Sequence, residues 1–468
     1  MNGNFALNKP TGEDILALVD IVGSDNAIVG DGMEEYSHDE SPNIQAKPSL
    51  VLKAGDEKEI SKILRYTNEK AIPVVTRGLG TGVAGGSIPF DSAIVLSLER
   101  MNSILEIDEE NLMVITQPAV ITGDLRRAVE EKGLFYPPDP ASLDSCSIGG
   151  NFQTNAGGMT AVKYGITRDY VKGFRAVIPG GDVITYGGKL VKNVAGYDLT
   201  HVICGSEGTL AVTTEITFKL LPKPEFHVDL LVGFDSVEDS VSAVSEIIRR
   251  KIVPSTIEFM EGDIVRIVAE VLQKDVPMRE AGAQLIISLD AESEEELEKR
   301  YFTLGEIALE LGAIDVLVAD NRPFQDRIWD VRRSIREALR AVSPTIVAED
   351  VAVPRAKLAE LWCGARELGK KFGIRVLSFG HAGDGNLHID ALKEDFDDTA
   401  WEKVMKDYIP ELFKLAVRLG GTITAEHGIG YLKKPYLPIG IGKSELDLMK
   451  NIKHAFDPKG ILNPGKAI

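Results

Sequence analysis

The stretch Thr76-Arg77-Gly78-Leu79-Gly80-Thr81-Gly82 begins at the end of an apolar segment, residues 73–76, which predicts a β-strand. Glycines in such a place let backbone N–H groups approach a phosphate closely, and Arg77 can add positive charge. The spacing differs from the Gly-x-Gly-x-x-Gly of Rossmann folds, and the Gly-Lys-Ser/Thr of Walker loops does not follow. The segment therefore predicts either a phosphate-binding loop of another kind or an ordinary turn.

Three further glycine-rich segments lie downstream, at residues 147–151, 155–158 and 205–209. They favour the first interpretation, because consecutive glycines again allow the main chain to contact a ligand. Together the four segments predict one large, flat, phosphate-bearing ligand that is lined by backbone. A nucleotide cofactor fits this description better than a small metabolite does.

The remaining pattern predicts two main domains. Between residues 48 and 131 short apolar strands alternate with amphipathic helices, which predicts an α+β or α/β domain. We also expect an N-terminal helix over residues 11–30 and an irregular, loop-rich segment over residues 135–170. Pro222-Lys223-Pro224 marks a boundary, after which strands and helices alternate anew. The predicted boundaries are 1–222, 223–420 and 421–468.

Composition narrows the class of protein. The 468 residues carry a net charge of −19, with 44% hydrophobic and 26% charged residues. These values are ordinary for a soluble globular protein, and the negative charge argues against nucleic acid and anionic membranes as partners. No apolar run approaches the ~20 residues of a membrane span, and the N-terminus lacks signal-peptide features, so we expect no transmembrane segment and a cytoplasmic location. Three scattered cysteines, Cys146, Cys204 and Cys363, are too few for an ordinary iron–sulfur cluster.

Two short segments hold three of the seven histidines. One reads Gly380-His381-Ala382-Gly383-Asp384-Gly385-Asn386-Leu387-His388, and the other reads Glu426-His427-Gly428. A glycine turn between paired strands would bring His381 and His388 face to face. Two imidazoles with a carboxylate from Glu426 suit a catalytic divalent metal, namely zinc, iron(II) or manganese, and His427 would be suitably placed as a general base. The alternative is that these are packed or exposed histidines without a ligand.

Taken together, the motifs resemble the FAD-linked oxidase family of the vanillyl-alcohol oxidase superfamily, and within it the D-2-hydroxyacid (D-lactate) dehydrogenases and glycolate oxidase FAD subunits. The resemblance extends from about residue 48 to the C-terminus. It implies an α+β fold in three parts. These are a two-part FAD-binding domain that includes the N-terminal helix (1–222), a mixed α/β substrate cap domain (223–420) and a C-terminal segment that returns to the flavin (421–468).

The resemblance assigns FAD contacts to the glycine-rich segments, to parts of residues 137–165 and to the C-terminal segment. The assigned residues are Arg77, Gly78, Gly80, Thr81, Gly82, Pro137, Asp139, Ser142, Cys146, Gly149, Gly150, Asn155, Gly157, Gly158, Tyr164, Gly165, Glu207, Gly208 and Asn463. No histidine occurs in residues 76–82 or 137–165, so we expect noncovalent FAD.

The resemblance also implies roles for the polar motifs. The metal ligands would be His381, His388 and Glu426, and the catalytic base would be His427. Arg332, in the sequence Trp329-Asp330-Val331-Arg332, matches an arginine that faces the substrate carboxylate. Read as one helix, this region aligns Arg332, Arg336 and Arg340 on one face. The alternative is a solvated basic helix face.

The implied activity is oxidation of a small D-2-hydroxy acid, with D-lactate as the first choice, by metal-assisted hydride transfer to flavin. Electrons would then pass to a partner such as an electron-transferring flavoprotein. One alternative is a glycolate or D-2-hydroxyglutarate dehydrogenase subunit with iron–sulfur partner subunits, and another is a non-catalytic electron-transfer flavoprotein. A cell-wall reductase of the same superfamily ranks last, because it gives no reason for the paired histidines.

Overall fold

The computed structural model describes residues 7–42 and 44–468, which divide into two compact units. Unit 1 comprises Met1–Gly157, Ile166–Lys223 and Glu426–Ile468, and unit 2 comprises Gly158–Gly165 and Pro224–Ala425. None of the helices in the described ranges combines the length and apolar character that a bilayer crossing requires. The first residues, on which the signal-peptide expectation depends, lie outside the described part of the chain.

The elements are numbered in chain order. The strands are β1 (Ala27–Ile28), β2 (Leu50–Lys53), β3 (Val74–Arg77), β4 (Ile94–Ser97), β5 (Ile104–Asp108), β6 (Met113–Thr116), β7 (Leu134–Phe135), β8 (Val171–Val177), β9 (Val183–Gly187), β10 (Val212–Lys219), β11 (Leu221–Pro222), β12 (Phe226–Phe234), β13 (Thr256–Glu261), β14 (Ala283–Ala291), β15 (Ala313–Ala319), β16 (Ile346–Ala352), β17 (Arg375–His381) and β18 (Asn386–Leu392). The helices are α1 (Gly12–Val22), α2 (Glu57–Lys70), α3 (Thr122–Glu130), α4 (Ile148–Thr154), α5 (Ala161–Tyr164), α6 (Thr167–Tyr170), α7 (Leu199–Ile203), α8 (Val237–Arg249), α9 (Gly262–Val271), α10 (Glu294–Glu310), α11 (Arg322–Arg333), α12 (Ile335–Val342), α13 (Leu358–Phe372), α14 (Asp398–Arg418), α15 (Leu437–Gly440) and α16 (Lys443–Phe456).

Unit 1 is built on two larger sheets, and β7 and β11 form a separate antiparallel pair. In the first, of order β1-β2-β4-β3, strands β2 and β3 pair in parallel with β4. In the second, of order β5-β6-β10-β8-β9, all pairs are antiparallel. The C-terminal segment runs beside β3, because Val74 N donates to Ile461 O at 2.8 Å and Asn463 N donates to Val74 O at 2.9 Å. This contact brings Asn463 to the start of the first glycine-rich loop.

The core of unit 1 follows from helical periodicity. Helix α2 places Ile60, Ile63 and Leu64 on one face, and all three are fully buried against the apolar side chains of the first sheet. Each such side chain contributes about 1.5–3 kcal/mol when it is removed from water. Asp56 caps the helix by accepting a hydrogen bond from Glu59 N at 2.8 Å.

Unit 2 contains one seven-stranded antiparallel sheet of order β15-β12-β14-β13-β17-β18-β16. Every residue of β13, β14 and β18 is buried, so helices or loops cover both faces of the sheet there. On one face Met260, Leu377 and Phe379 share an apolar cluster with residues of α9, α11 and α12. This face also carries the polar residues of the candidate site.

Three sequence predictions differ from the structure. The helix expected over 11–30 ends at Val22, because Gly23 adopts φ +82° and accommodates the helix end. The segment 135–170, expected to be irregular, contains helices α4, α5 and α6. Residues Gly158–Gly165, expected with the first domain, belong to unit 2, where the Lys163 ammonium and the Tyr164 hydroxyl bind the Asp290 carboxylate.

Candidate active site

A cavity of about 310 Å³ lies within unit 1, where the glycine-rich segments meet. Its wall includes twelve of the residues to which the resemblance assigned the cofactor: Arg77, Gly78, Gly80, Thr81, Gly82, Ser142, Cys146, Gly149, Gly150, Glu207, Gly208 and Asn463. Glu426 and His427 also line the cavity. Segments that are far apart in the sequence thus form one concave surface of the size that binds organic ligands.

Close approach of main chains explains why glycine occupies this wall. A Cβ atom at Gly78 would lie 2.5 Å from Ser147 Oγ, and one at Gly149 would lie 2.5 Å from Pro118 Cβ. Ser147 in turn caps α4, since its hydroxyl accepts a hydrogen bond from Gly150 N at 3.2 Å. The wall is therefore a cradle of backbone that larger residues would fill, and it fits a flat, phosphate-bearing cofactor.

Arg77 lines the cavity, but its guanidinium is used elsewhere. Nη1 donates to His38 O at 2.6 Å and Nη2 donates to Glu35 O at 2.9 Å. The side chain is buried, and burial lowers the pKa of Arg77. We therefore correct the interpretation of Arg77 as a charge directed at a diphosphate: its guanidinium fixes the segment that precedes β2.

Seven of the assigned cofactor residues do not line this cavity. They are Pro137, Asp139, Asn155, Gly157, Gly158, Tyr164 and Gly165. Asp139 forms an ion pair with Arg126 at 2.7 Å, and Asn155 accepts a hydrogen bond from Arg168 N at 3.0 Å. Tyr164 belongs to unit 2 and donates to Asp290 at 2.6 Å. These three side chains have structural partners in place of a position on the cavity wall.

Glu207 connects a glycine-rich segment to the segment that carries His427. Its carboxylate accepts hydrogen bonds from Ile429 N at 2.9 Å and from Gly430 N at 2.7 Å. Burial raises the pKa of Glu207, although both amides oppose the rise. The Asn463 side-chain amide donates to Glu207 O at 2.7 Å, which joins the C-terminal segment to the same loop. Glu207 thus fixes the backbone beside His427 at the cavity wall.

His381 and His388 lie close together in unit 2, as expected for facing histidines on paired strands. His381 ends β17 and His388 lies in β18, joined by a short turn in which Gly385 adopts φ +89°. The imidazole centroids are 5.3 Å apart, and both side chains are buried. Each ring offers a ligand atom within 4.8 Å of the other. Two buried imidazole nitrogens within this limit are candidate ligands for one divalent ion.

Glu258 is a site residue that sequence reasoning missed. Its Oε1 lies 2.5 Å from His381 Nδ1, and its Oε2 lies 2.7 Å from Arg332 Nε and 2.6 Å from Arg332 Nη2. Burial favours protonation, but His381 and Arg332 outweigh it and lower the pKa of Glu258 to about 2. The available signal was a single carboxylate within the apolar run Thr256-Ile257-Glu258-Phe259-Met260, because a buried charge needs a partner.

Arg332 lies at the C-terminal end of α11, and its side chain is only 12% exposed. The guanidinium lies over the Phe379 ring, 4.8 Å from its centroid. Nε and Nη2 bind Glu258, whereas Nη1 has no hydrogen bond to any residue that the structure describes. Arg332 can therefore present one nitrogen edge to a ligand while the other edge remains anchored.

The expected helix through Trp329 and Arg336 is interrupted. Helix α11 ends at Arg333 and α12 begins at Ile335, so Arg332, Arg336 and Arg340 do not share one continuous helix face. Ser334 explains the break, since its hydroxyl donates to Asp330 O at 2.7 Å, a bond that bends helices. Arg336 instead reaches the buried Asp390 at 3.4 Å.

The chain just before Glu426 is fixed beside His388. Asp350 pairs with His388 in the β16–β18 register. Its carboxylate accepts hydrogen bonds from Thr424 Oγ1 at 3.0 Å and from Ala425 N at 2.9 Å. Glu426 is the next residue of the chain. It lines the unit 1 cavity, where its Oε1 lies 3.9 Å from His427 Nε2.

The sequence matches two known domain families. Residues 48–187 match an FAD binding domain, and residues 223–467 match the family described as FAD linked oxidases, C-terminal domain. The prediction of FAD as cofactor is therefore confirmed.

Relatives of known name cover nearly the whole chain. Glycolate oxidase subunit GlcD of Bacillus subtilis (strain 168) is 43% identical over 92% of this chain and 91% of its own length. D-lactate dehydrogenase of Anaerostipes hadrus is 38% identical over 99% of this chain and 98% of its own. The solved structure of p-cresol methylhydroxylase has a TM-score of 0.79 at 18% identity over 97% and 96% of the two chains, which confirms the predicted fold class. The chain belongs to the FAD-linked oxidase family, and it is an FAD-linked oxidoreductase of the D-lactate dehydrogenase and GlcD type.

Proposed function

We propose that this protein oxidises a small D-2-hydroxy acid, with D-lactate as the first choice, to the 2-oxo acid. The observation that carries the proposal is the buried His381–His388 pair. His427 lines the unit 1 cavity, to which we assign the flavin. The names of the relatives, a glycolate oxidase subunit and a D-lactate dehydrogenase, support a hydroxyacid as the substrate class.

The proposal includes one divalent metal with His381, His388 and Glu426 as ligands. The donor set fits such an ion, because two buried imidazoles and a carboxylate suit zinc, iron(II) or manganese. Glu258 fits as well, since ligating histidines usually donate their second nitrogen to a carboxylate or carbonyl. When bound, the ion would polarise the substrate oxygens and favour loss of the hydroxyl proton.

FAD, His427 and Arg332 would have separate roles in the reaction. FAD, when bound, supplies the hydride acceptor, and the glycine-rich wall would hold it noncovalently. His427 would accept the hydroxyl proton on its imidazole. Arg332 would bind the substrate carboxylate through Nη1, because Nε and Nη2 are engaged by Glu258. The Arg332 guanidinium would thus be held in position before the substrate binds.

Electrons leave the flavin, in this proposal, for a partner such as an electron-transferring flavoprotein. Cys146, Cys204 and Cys363 are separate free thiols, which offers no cluster for onward transfer within the described residues. The first alternative is a glycolate or D-2-hydroxyglutarate dehydrogenase subunit that uses iron–sulfur partner subunits. A non-catalytic electron-transfer flavoprotein is the alternative from another class, and it predicts no reaction with any hydroxyacid.

Anaerobic flavin bleaching tests the proposal. Purified protein would be mixed with D-lactate, L-lactate, glycolate or D-2-hydroxyglutarate, before and after treatment with a chelator. Bleaching by D-lactate that is lost on chelation and restored by added metal supports the proposal. Bleaching by another of these acids, and not by D-lactate, would identify that acid as the substrate. If no acid bleaches the bound flavin, the dehydrogenase proposal is wrong and the electron-transfer alternative is favoured.

A further inference from the structure

We propose that Glu258 is the positioning residue of this site. Its carboxylate selects the metal-binding nitrogen of His381 and also holds the Arg332 guanidinium. This inference rests on the proposed function, since it concerns the metal and the substrate carboxylate. It goes beyond the ligands and the base, because Glu258 would touch neither metal nor substrate.

The position of Glu258 follows from strand register. Strands β13 and β17 are antiparallel neighbours, and Glu258 lies directly opposite His381. Both side chains therefore project from the same face of the sheet. Phe379 lies on that face too, opposite Met260, and supports the Arg332 guanidinium. The arrangement is built from backbone pairing and buried packing, which restricts its freedom to move.

The two carboxylate oxygens have separate partners. Oε1 is bonded to His381 Nδ1 at 2.5 Å, and Oε2 is bonded to two nitrogens of Arg332. Glu258 is fully buried, so no solvent competes for either oxygen. An ionised carboxylate accepts only, so the imidazole must donate from Nδ1.

The consequence for His381 is a fixed tautomer. A ring that carries its proton on Nδ1 offers the lone pair of Nε2 to a metal. An alternative tautomer would place an N–H where the ion binds and would leave a bare nitrogen facing the carboxylate. Glu258 thus selects Nε2 as the ligand atom and sets the plane of the ring.

The consequence for Arg332 is a shared anchor. Glu258 holds Nε and Nη2, so the Nη1 edge keeps a fixed direction relative to His381. A substrate that chelates the metal and binds Arg332 needs both groups at one separation. A single carboxylate that bonds both groups provides that constraint.

Glu258→Gln tests the inference, with Glu261→Gln as a matched control. Glu261 belongs to the same strand, is also buried, pairs with Arg366 at 3.1 Å and accepts a hydrogen bond from Ser378 N. It has no hydrogen bond to His381 among the described residues. A glutamine at 258 must turn its NH₂ group toward either His381 or Arg332, both of which are donors. The readout is the dissociation constant of zinc, titrated by calorimetry into chelator-treated holoprotein that retains FAD.

We expect Glu258→Gln to weaken zinc binding by about 10–100-fold, which is typical when the orienting partner of a ligand is lost. Glu261→Gln should bind zinc like the wild type. Equal zinc affinity in Glu258→Gln and wild type would overturn the inference and leave the proposed function standing. A wild type that binds no zinc, iron(II) or manganese would overturn the metal site itself.

Nitrogen NMR of the histidine-labelled wild type provides a second test that needs no folded variant at position 258. The His381 signals can be assigned by their loss in His381→Asn. We expect Nδ1 to carry the proton and Nε2 to shift when zinc is added. A protonated Nε2 that is unchanged by zinc would contradict the assignment.

Discussion

Replacing Glu207 should release the segment that carries His427. Two backbone amides, of Ile429 and Gly430, donate to the Glu207 carboxylate at 2.9 and 2.7 Å. Hydrogen bonds to a charged group contribute about 1.5–3 kcal/mol each. Glu207→Ala removes both, and because the loop is only partly buried its amides can regain water. We therefore expect a loss of about 3 kcal/mol in the free energy of unfolding, at the lower end of that range.

Glu207→Gln separates positioning from stability. The glutamine keeps one acceptor oxygen but turns an NH₂ group toward the second amide, so about half of the loss should remain. His427 lies two residues before Ile429, and a displacement of about 1 Å at a reacting group can cost ~100-fold in rate. We expect the rate of flavin reduction by the preferred acid to fall by ~10–100-fold, with FAD still bound.

The assay is anaerobic stopped-flow bleaching, together with thermal unfolding and the ratio of FAD to protein. Glu57→Gln is the control, because its carboxylate also accepts hydrogen bonds to both oxygens in unit 1 but does not line the cavity. The three donors are Arg175 Nη2 at 2.7 Å, Arg175 Nε at 3.1 Å and Thr214 Oγ1 at 3.1 Å. The control should lose stability without a change in the bleaching rate. A wild-type bleaching rate in FAD-loaded Glu207→Gln would refute the positioning argument, and loss of FAD instead would make Glu207 a cofactor residue alone.

Three further predictions concern other parts of the site. His427→Asn should slow flavin reduction by ~10²–10⁴-fold, the usual contribution of a general base, while zinc affinity and FAD content stay unchanged; an unaltered rate would exclude His427 as the base. Burial lowers the pKa of Lys466 to about 7. Between that value and the unfolded pKa of ~10.4, the Lys466 amine is protonated in the unfolded chain but not in the folded one. The free energy of unfolding should therefore rise by up to ~1.4 kcal/mol per pH unit as pH increases through this range. Urea unfolding from pH 7 to 9.5 measures this slope, which Lys466→Met should reduce. Gly149→Ala should lower FAD content, because the new Cβ would lie 2.5 Å from Pro118 Cβ; full FAD content would show that the loop can shift.

The periodicity of apolar residues predicted those helices whose formation depends mainly on their own sequence. Helix α2 (Glu57–Lys70) is one of the amphipathic helices predicted between residues 48 and 131, and its apolar residues Ile60, Ile63 and Leu64 recur at helical spacing. Helix α4 (Ile148–Thr154) was missed, since two glycines within it disfavour a helix in isolation. It forms because Ser147 caps it and because Ile148 and Phe152 are fully buried. Tertiary packing overrides propensity there, and packing is not readable from one segment.

The candidate site shows the same division. His381 and His388 could be predicted as neighbours because one short turn joins their strands. Glu258 could not, since its place opposite His381 depends on the pairing of β13 with β17, which are more than a hundred residues apart. Arg77 shows the converse. Its position in the loop was readable, but its guanidinium contacts the backbone of Glu35 and His38, a direction that the sequence alone does not reveal.

The buried ion pair of Glu258 and Arg332 is difficult to explain by stability alone. Desolvation of two charges roughly cancels their attraction, and apolar replacements of buried pairs in other proteins are often neutral or stabilising by about 1–4 kcal/mol. The surrounding cluster of Met260, Leu377 and Phe379 could accommodate such apolar side chains. A charge pair that contributes little to folding, yet bonds directly to His381, is explained if its benefit lies in the geometry of the site. We therefore interpret the pair as an element that positions the groups of the proposed site, and not as one that stabilises the core.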